Sequence, residues 1–219
     1  MEVNILTLGE VAKKYGIESR KAYEFISEVH RRMRAENFAL IEELNVQPKE
    51  TNDELHTAST IRTFKGHYVD VFNPDPETID IEDIAHGLSN TCRFGGHTYV
   101  FYSVAQHSST VARHELMPED LKLTALLHDA TEAYMCDLPR PIKRHLPSYK
   151  EAEEKLMQVI ANKFHLEFPF PKEIKAIDNL TLELEHEKIM LARNYPCLPP
   201  DQAKNEFMYY YKLYTQVHE

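Results

Sequence analysis

Helical patterning is nearly continuous from Asp80 to the end of the chain, and glycine is too scarce to interrupt it: the whole sequence holds only 6. Six stretches in that span read as helix, each with a plausible start signal. Asp80 precedes "IEDIAHGLSNTC", Ser103 precedes "VAQHSSTVARHEL", and Pro118 and Glu119 open "EDLKLTALLHDATEAY". Ser148 precedes "YKEAEEKLMQVIANKF", Pro171 precedes "KEIKAIDNLTLELEHEKIML", and Asp201 caps "DQAKNEFMYYYKLYTQV". Ala152, Leu156, Val159, Ile160 and Phe164 form one apolar stripe, and Ile174, Ile177, Leu180 and Leu184 another. The one good hairpin candidate, "IRTFKGHYVDVF", alternates about Lys65-Gly66. These features predict an all-α bundle with a small β-hairpin before its core.

Residues 1–52 are read as a separate N-terminal helical extension, dominated by a long charged helix over Glu18–Leu44 and followed by a polar linker, Asn45–Thr60; residues 53–219 form the main domain. Thr7–Glu28 faintly suggests a helix-turn-helix, but acids and bases balance over Met1–Glu50, which argues against a phosphate-binding face. The whole chain, 219 residues with a net charge of −10, is likewise a poor coat for nucleic acid or an anionic membrane. Cys92, Cys136 and Cys197 are odd in number and widely spaced, as reduced thiols are. No apolar run suits a signal peptide or a bilayer span, so a cytoplasmic location is expected. The long first helix and the aromatic set Phe207, Tyr209, Tyr210, Tyr211 and Tyr214 suggest packing faces, and a homo-oligomer is expected.

Chemistry concentrates in "TALLHDATEAYMCDLPRPIKRHL". His128 and Asp129 offer a divalent ion an imidazole nitrogen and a carboxylate oxygen, but two ligands hold such an ion poorly. His107, on the preceding helix, and Asp178, on a later one in an apolar setting, would complete a two-imidazole, two-carboxylate set. Glu132 lies four residues after His128 and three after Asp129, so it shares their face, and a carboxylate there could orient water or move its proton. Asp137 could add a second acid. From Leu138 to Lys150 the chain carries Arg140, Lys143, Arg144 and Lys150 and no acid, a local reversal of charge suited to phosphate. Each of these residues has an ordinary reading alone: a core histidine, a capping acid, a solvated cation.

In order and type, His107, His128-Asp129 and Asp178 resemble the H…HD…D signature of the HD-domain metal-dependent phosphohydrolases. With "CRF", "YSVAQHS" and the acid–basic run after His128 added, the chain is similar to the branch that contains bacterial and phage 5′-deoxynucleotidases and phage dATP triphosphohydrolases. The likeness runs from about Ile61 to about Met190. It implies an HD-domain helical bundle over 53–219, with His107, His128, Asp129 and Asp178 as ligands of a divalent metal (Mn, Co, Zn, Ni, Fe or Mg). Glu132 and Asp137 would activate and position water. Arg93 would contact the substrate phosphate, with Lys143 and His97 as further substrate contacts. The implied reaction is hydrolysis of 2′-deoxynucleotide 5′-phosphates to deoxynucleoside and phosphate; the alternative is a deoxynucleoside triphosphate triphosphohydrolase. A non-catalytic nucleotide-binding or DNA-binding regulator is a more distant reading, and a missing ligand or acid would be its mark.

Overall fold

The computed structural model describes Thr57 and residues 59–216, all within the second of two compact units, Glu54–Glu219. The N-terminal helical extension and its helix-turn-helix reading lie outside the described residues. The described part is all-α with one small hairpin, as the patterning predicts. Strands β1 (Thr60–Arg62) and β2 (Tyr68–Asp70) pair antiparallel with Ile61 opposite Val69. Gly66 takes a φ of 91° in the connecting turn, a region open to glycine at little cost. The hairpin docks on helix α1 (Ile81–Asn90) through the buried Asp83 carboxylate, which accepts from Thr63 Oγ1 and Lys65 N at 2.7 Å and from His67 Nδ1 at 2.8 Å.

Helices α2 (Val104–Ala112), α3 (Lys122–Leu126) and α4 (Glu132–Met135) follow, then α5 (Arg140–Lys143), α6 (Pro147–Phe164), α7 (Lys172–Glu185) and α8 (Pro200–Thr215). The C-terminal helix α8 packs across α1, α2 and α3, with Phe207 fully buried, while α2 also meets α7. Leu88, Val104, Leu126, Leu156 and Ile160 are central in the core. Asp80 and Ser103 cap α1 and α2 as expected, each accepting a backbone N–H of its first turn. Ser148 and Asp201 do not cap: α6 and α8 begin one residue earlier, on Pro147 and Pro200, where the proline ring pre-sets the first helical φ.

Two expectations are corrected. The single helix expected from Glu119 to Tyr134 is broken into a 3₁₀ turn (Glu119–Leu121), α3, a tight turn over 127–131, and α4. Bonds from Ala130 N to Leu127 O and from Glu132 N to Asp129 O tighten that turn, and the His128 ring takes the Ala125 carbonyl at 2.7 Å. Leu180 and Leu184, expected in the core, are exposed; the buried face of α7 is instead Ile174, Ile177, Asp178, Thr181 and Glu185. Of the aromatic set, Phe207 and Tyr214 are buried, Tyr210 and Tyr211 pack on the core from its edge, and Tyr209 is exposed.

Close approach of α1 to α4 depends on Gly87. A β-carbon there would lie 2.8 Å from the Ala133 carbonyl oxygen and 2.9 Å from its Cβ. Gly87→Ala should therefore forfeit the roughly 1 kcal/mol that alanine ordinarily gains in a helix and cost about 1–3 kcal/mol in overpacking instead. Urea denaturation reads the sign: a raised midpoint would show that α4 yields freely.

Candidate metal centre

His107 lies in the middle of α2 with no exposed surface, placed there by the Ser103 cap and by packing of the helix against α7. His128 and Asp129 come from the turn after α3, and Asp178 from the buried face of α7. Three elements apart in sequence thus deliver four donors to one place. His107 Nε2 is 3.6 Å from Asp129 Oδ2 and 3.3 Å from Asp178 Oδ1. His128 Nε2 is 3.3 Å from Asp129 Oδ2 and 3.9 Å from Asp178 Oδ1. The two rings stand 5.4 Å apart, tilted by 54°.

Hydrogen bonding fixes which nitrogen of each ring faces the cluster. Glu185, entirely buried two turns beyond Asp178, accepts at Oε1 from His107 Nδ1 at 2.6 Å and from the Tyr102 hydroxyl at 2.7 Å. His128 Nδ1 donates to the Ala125 carbonyl. Both acceptors require the proton on Nδ1, so in the neutral ring each Nε2 presents a lone pair. Both Nε2 atoms are buried without a hydrogen-bond partner, an unfavourable arrangement that a cation would relieve. Donors held about 2.0–2.2 Å from one ion lie about 2.8–3.6 Å from one another, close to the spacings found here. His107, His128 and Asp129 could hold a metal ion.

The electrostatics agree. Burial opposes charge on His128, but the Asp129 carboxylate outweighs it and raises the imidazole to about 9. Burial likewise opposes charge on Asp129 and Asp178, yet the neighbouring histidines hold both carboxyls well below the usual range.

Around this centre, Glu132 opens α4 and Asp137 follows it. Burial first, then the Asp129 and Asp137 charges, drive the Glu132 carboxyl well up, and its Oε2 has no hydrogen-bond partner. Asp137 is raised too, by burial and then by Asp129, with Arg93 opposing. Cys136 turns the chain between them at a φ of 67°, costly for a residue with a β-carbon, and its carbonyl and that of Met135 accept from the Tyr149 hydroxyl of α6. Backbone strain recurs at Phe94, whose φ of 56° follows Arg93. Arg93 itself is held beside α2 by its N–H to the Tyr102 carbonyl.

The buried Arg93 guanidinium lies 3.6 Å from Asp129 Oδ2 and 3.3 Å from Glu185 Oε2. Arg140 NH2 is 3.5 Å from Asp178 Oδ2 and bonds Asn179, and Lys175 Nζ is 3.4 Å from the same Asp178 oxygen. Lys143 pairs with Glu153 of α6. His97 is exposed in the 3₁₀ turn, its backbone N–H on the Phe94 carbonyl, and its ring lines neither cavity at the centre.

Two such cavities open there. One, about 390 Å³, reaches over Met157, Phe168, Phe170 and Ile174; the other, about 580 Å³, over Arg93, Phe94, Glu132, Asp137 and Arg140. Asp129, Asp178, Lys143 and Lys175 line both. The residue that sequence reasoning missed is Glu185, and its signal was present: an acid seven residues after Asp178, on the same face of α7 as Ile174, Ile177 and Thr181.

No protein-family model matches the chain. Over 135 residues it is 46% identical to the uncharacterized protein YfdR of Escherichia coli K12, covering 61% of this chain and 74% of that protein. Over 140 residues it is 36% identical to the uncharacterized protein RCAP_rcc00048 of Rhodobacter capsulatus, covering 58% of this chain and 71% of that one. At that identity and coverage the chain belongs to the family of YfdR.

Proposed function

We propose that the chain is an HD-domain phosphohydrolase that uses a divalent metal to hydrolyse 2′-deoxynucleotide 5′-phosphates. The observation that carries the reading is the pair of buried, unpartnered imidazole nitrogens converging with Asp129 and Asp178, next to two acids of raised proton affinity. His107, His128, Asp129 and Asp178 would hold the ion, which supplies Lewis acidity to a phosphoryl group and to water.

The chain's own residues supply the rest. Arg93 offers guanidinium hydrogens to non-bridging phosphate oxygens, pre-aligned by Glu185. Glu132 accepts the proton of the attacking water; a buried carboxyl of raised proton affinity is a stronger base than a free one. Asp137 orients that water from the adjoining turn. Water oxygen bonds to phosphorus as the bond to the 5′ oxygen breaks; that oxygen takes up a proton, balancing the one Glu132 removes from water, and leaves as deoxynucleoside with inorganic phosphate as the second product.

Triphosphohydrolysis is the second reading. Arg140, Lys143 and Lys175 extend the cationic lining of the larger cavity beyond Arg93, as a longer phosphate chain requires. Arg144 and Lys150, the other cations of the basic run, are exposed and absent from that lining, and Lys150 lines the smaller cavity.

The test is metal-stripped protein reloaded with Mn or Co and incubated separately with dAMP, dATP and the matching ribonucleotides. Nucleoside and phosphate from dAMP, with dATP untouched, is the expected result. Nucleoside plus triphosphate from dATP would move the assignment to the second reading, and no turnover with any metal would remove both.

A further inference from the structure

Helix α4 is a single turn, and its last carbonyls have no partner within it. Just beyond it, Cys136 takes φ 67° and ψ 155°, a backbone conformation close to one that is essentially confined to glycine. That outlier stands between Glu132, whose carbonyl accepts the Cys136 N–H at 3.0 Å, and Asp137. The Met135 and Cys136 carbonyls share the one proton of the Tyr149 hydroxyl, at 2.9 and 2.8 Å. Tyr149 belongs to the first turn of α6, and the Lys143 ammonium lies over its ring, 5.6 Å from the centroid. Burial, then the Glu153 and Glu132 charges, raises the phenol well above its usual range, so the hydroxyl keeps the proton it donates. Tyr149 lines neither cavity at the metal centre.

We infer that Tyr149 is a positioning residue of the proposed hydrolysis: its hydroxyl clamps the Met135–Cys136 turn and so fixes Asp137 relative to Glu132. The inference rests on the phosphohydrolase reading and deepens it. Strained backbone persists only where its surroundings hold it. The Cys136 side chain is exposed, so its own burial does not hold the turn. The contact from α6 does. Without that contact, Cys136 would relax toward negative φ and swing Asp137, the next residue, away from the water that Glu132 deprotonates. A misplacement of about 1 Å can cost about 100-fold in rate. A hydroxyl that served only to cap α4 would instead affect stability and leave kcat alone.

The experiment measures kcat, KM and metal content in the metal-loaded full chain, on whichever of dAMP and dATP the wild type hydrolyses. Tyr149→Phe keeps the ring and removes the hydroxyl. It is expected to lower kcat by up to about 100-fold, with KM and metal content as in wild type. Cys136→Gly, which adopts the turn without strain, should turn over as wild type does. Added to Tyr149→Phe, it should restore most of the lost kcat, because the turn then needs no clamp. Wild-type kcat in Tyr149→Phe would overturn the inference, as would a loss that tracks metal content or KM, or a double variant as slow as Tyr149→Phe alone. Should Tyr149→Phe fail to fold, the double variant decides: turnover near wild type upholds the clamp, and folded protein as slow as Asp137→Asn overturns it. Wild-type protein that hydrolyses neither nucleotide would overturn the phosphohydrolase reading itself.

Discussion

Asp129→Ala is expected to abolish metal-dependent hydrolysis, by about a thousandfold or more, while the protein stays folded. Asp129 Oδ2 is the oxygen nearest His128 Nε2, and it is also within 3.6 Å of His107 Nε2 and of Arg93. On the proposed reading its loss would remove a ligand and with it the Lewis acidity of the site, a contribution of several kcal/mol in such reactions, or about three decades in rate. The fold should tolerate the change. Asp129 lies in a turn, its side chain retains some exposure, and its charge opposes ionisation of Glu132 and Asp137 beside it. Arg93 keeps Glu185 as a partner. Metal content by elemental analysis and turnover of dAMP, measured on protein whose melting temperature is close to wild type, check both halves. Undiminished turnover would remove Asp129 from the centre; a wild type that binds nucleotide but never turns it over would point to a binding module instead.

What the sequence made legible followed from local rules. Helix existence, the Asp80 and Ser103 caps and the hairpin about Gly66 are decided by residues within one turn of each other, and they appear as expected. The helix expected through His128 failed because periodicity reports apolar spacing and not hydrogen-bond register: Leu126, Leu127 and Ala130 are all buried whether the segment is one helix or two joined by a turn. Leu180 and Leu184 failed for a related reason. Their spacing continues the stripe of Ile174 and Ile177, yet α7 turns Asp178, Thr181 and Glu185 inward instead, where Asp178 and Glu185 meet the buried His107 ring. The convergence of His107, His128, Asp129 and Asp178 was legible as a set of residue types, but the tautomers were not. They depend on Glu185 and on the Ala125 carbonyl, contacts that only the folded chain creates.

Glu185 carries the second large expected effect, and it separates positioning from simple stability. One carboxylate accepts from His107, from Tyr102 and from Arg93, all buried. Burial alone would raise its pKa, but His107 and then Arg93 overcome this and hold it below the usual value, so it is an anion in the folded protein. Glu185→Ala should cost about 3–5 kcal/mol in chemical denaturation, the penalty for removing one partner of a buried ion pair. Glu185→Gln should be milder in stability, because the amide still accepts one bond, and yet lower metal affinity about 10–100-fold, as loss of an outer carboxylate from a histidine ligand does. A double variant, Arg93→Leu with Glu185→Leu, removes the ion pair as a unit. It should regain much of the stability lost in Glu185→Ala, since apolar replacement of a buried pair is often neutral, without regaining metal affinity. If Glu185→Gln binds metal as wild type does, the carboxylate only fills and neutralises the space behind His107. If affinity falls while the melting temperature holds, Glu185 sets the ligand that the cluster presents.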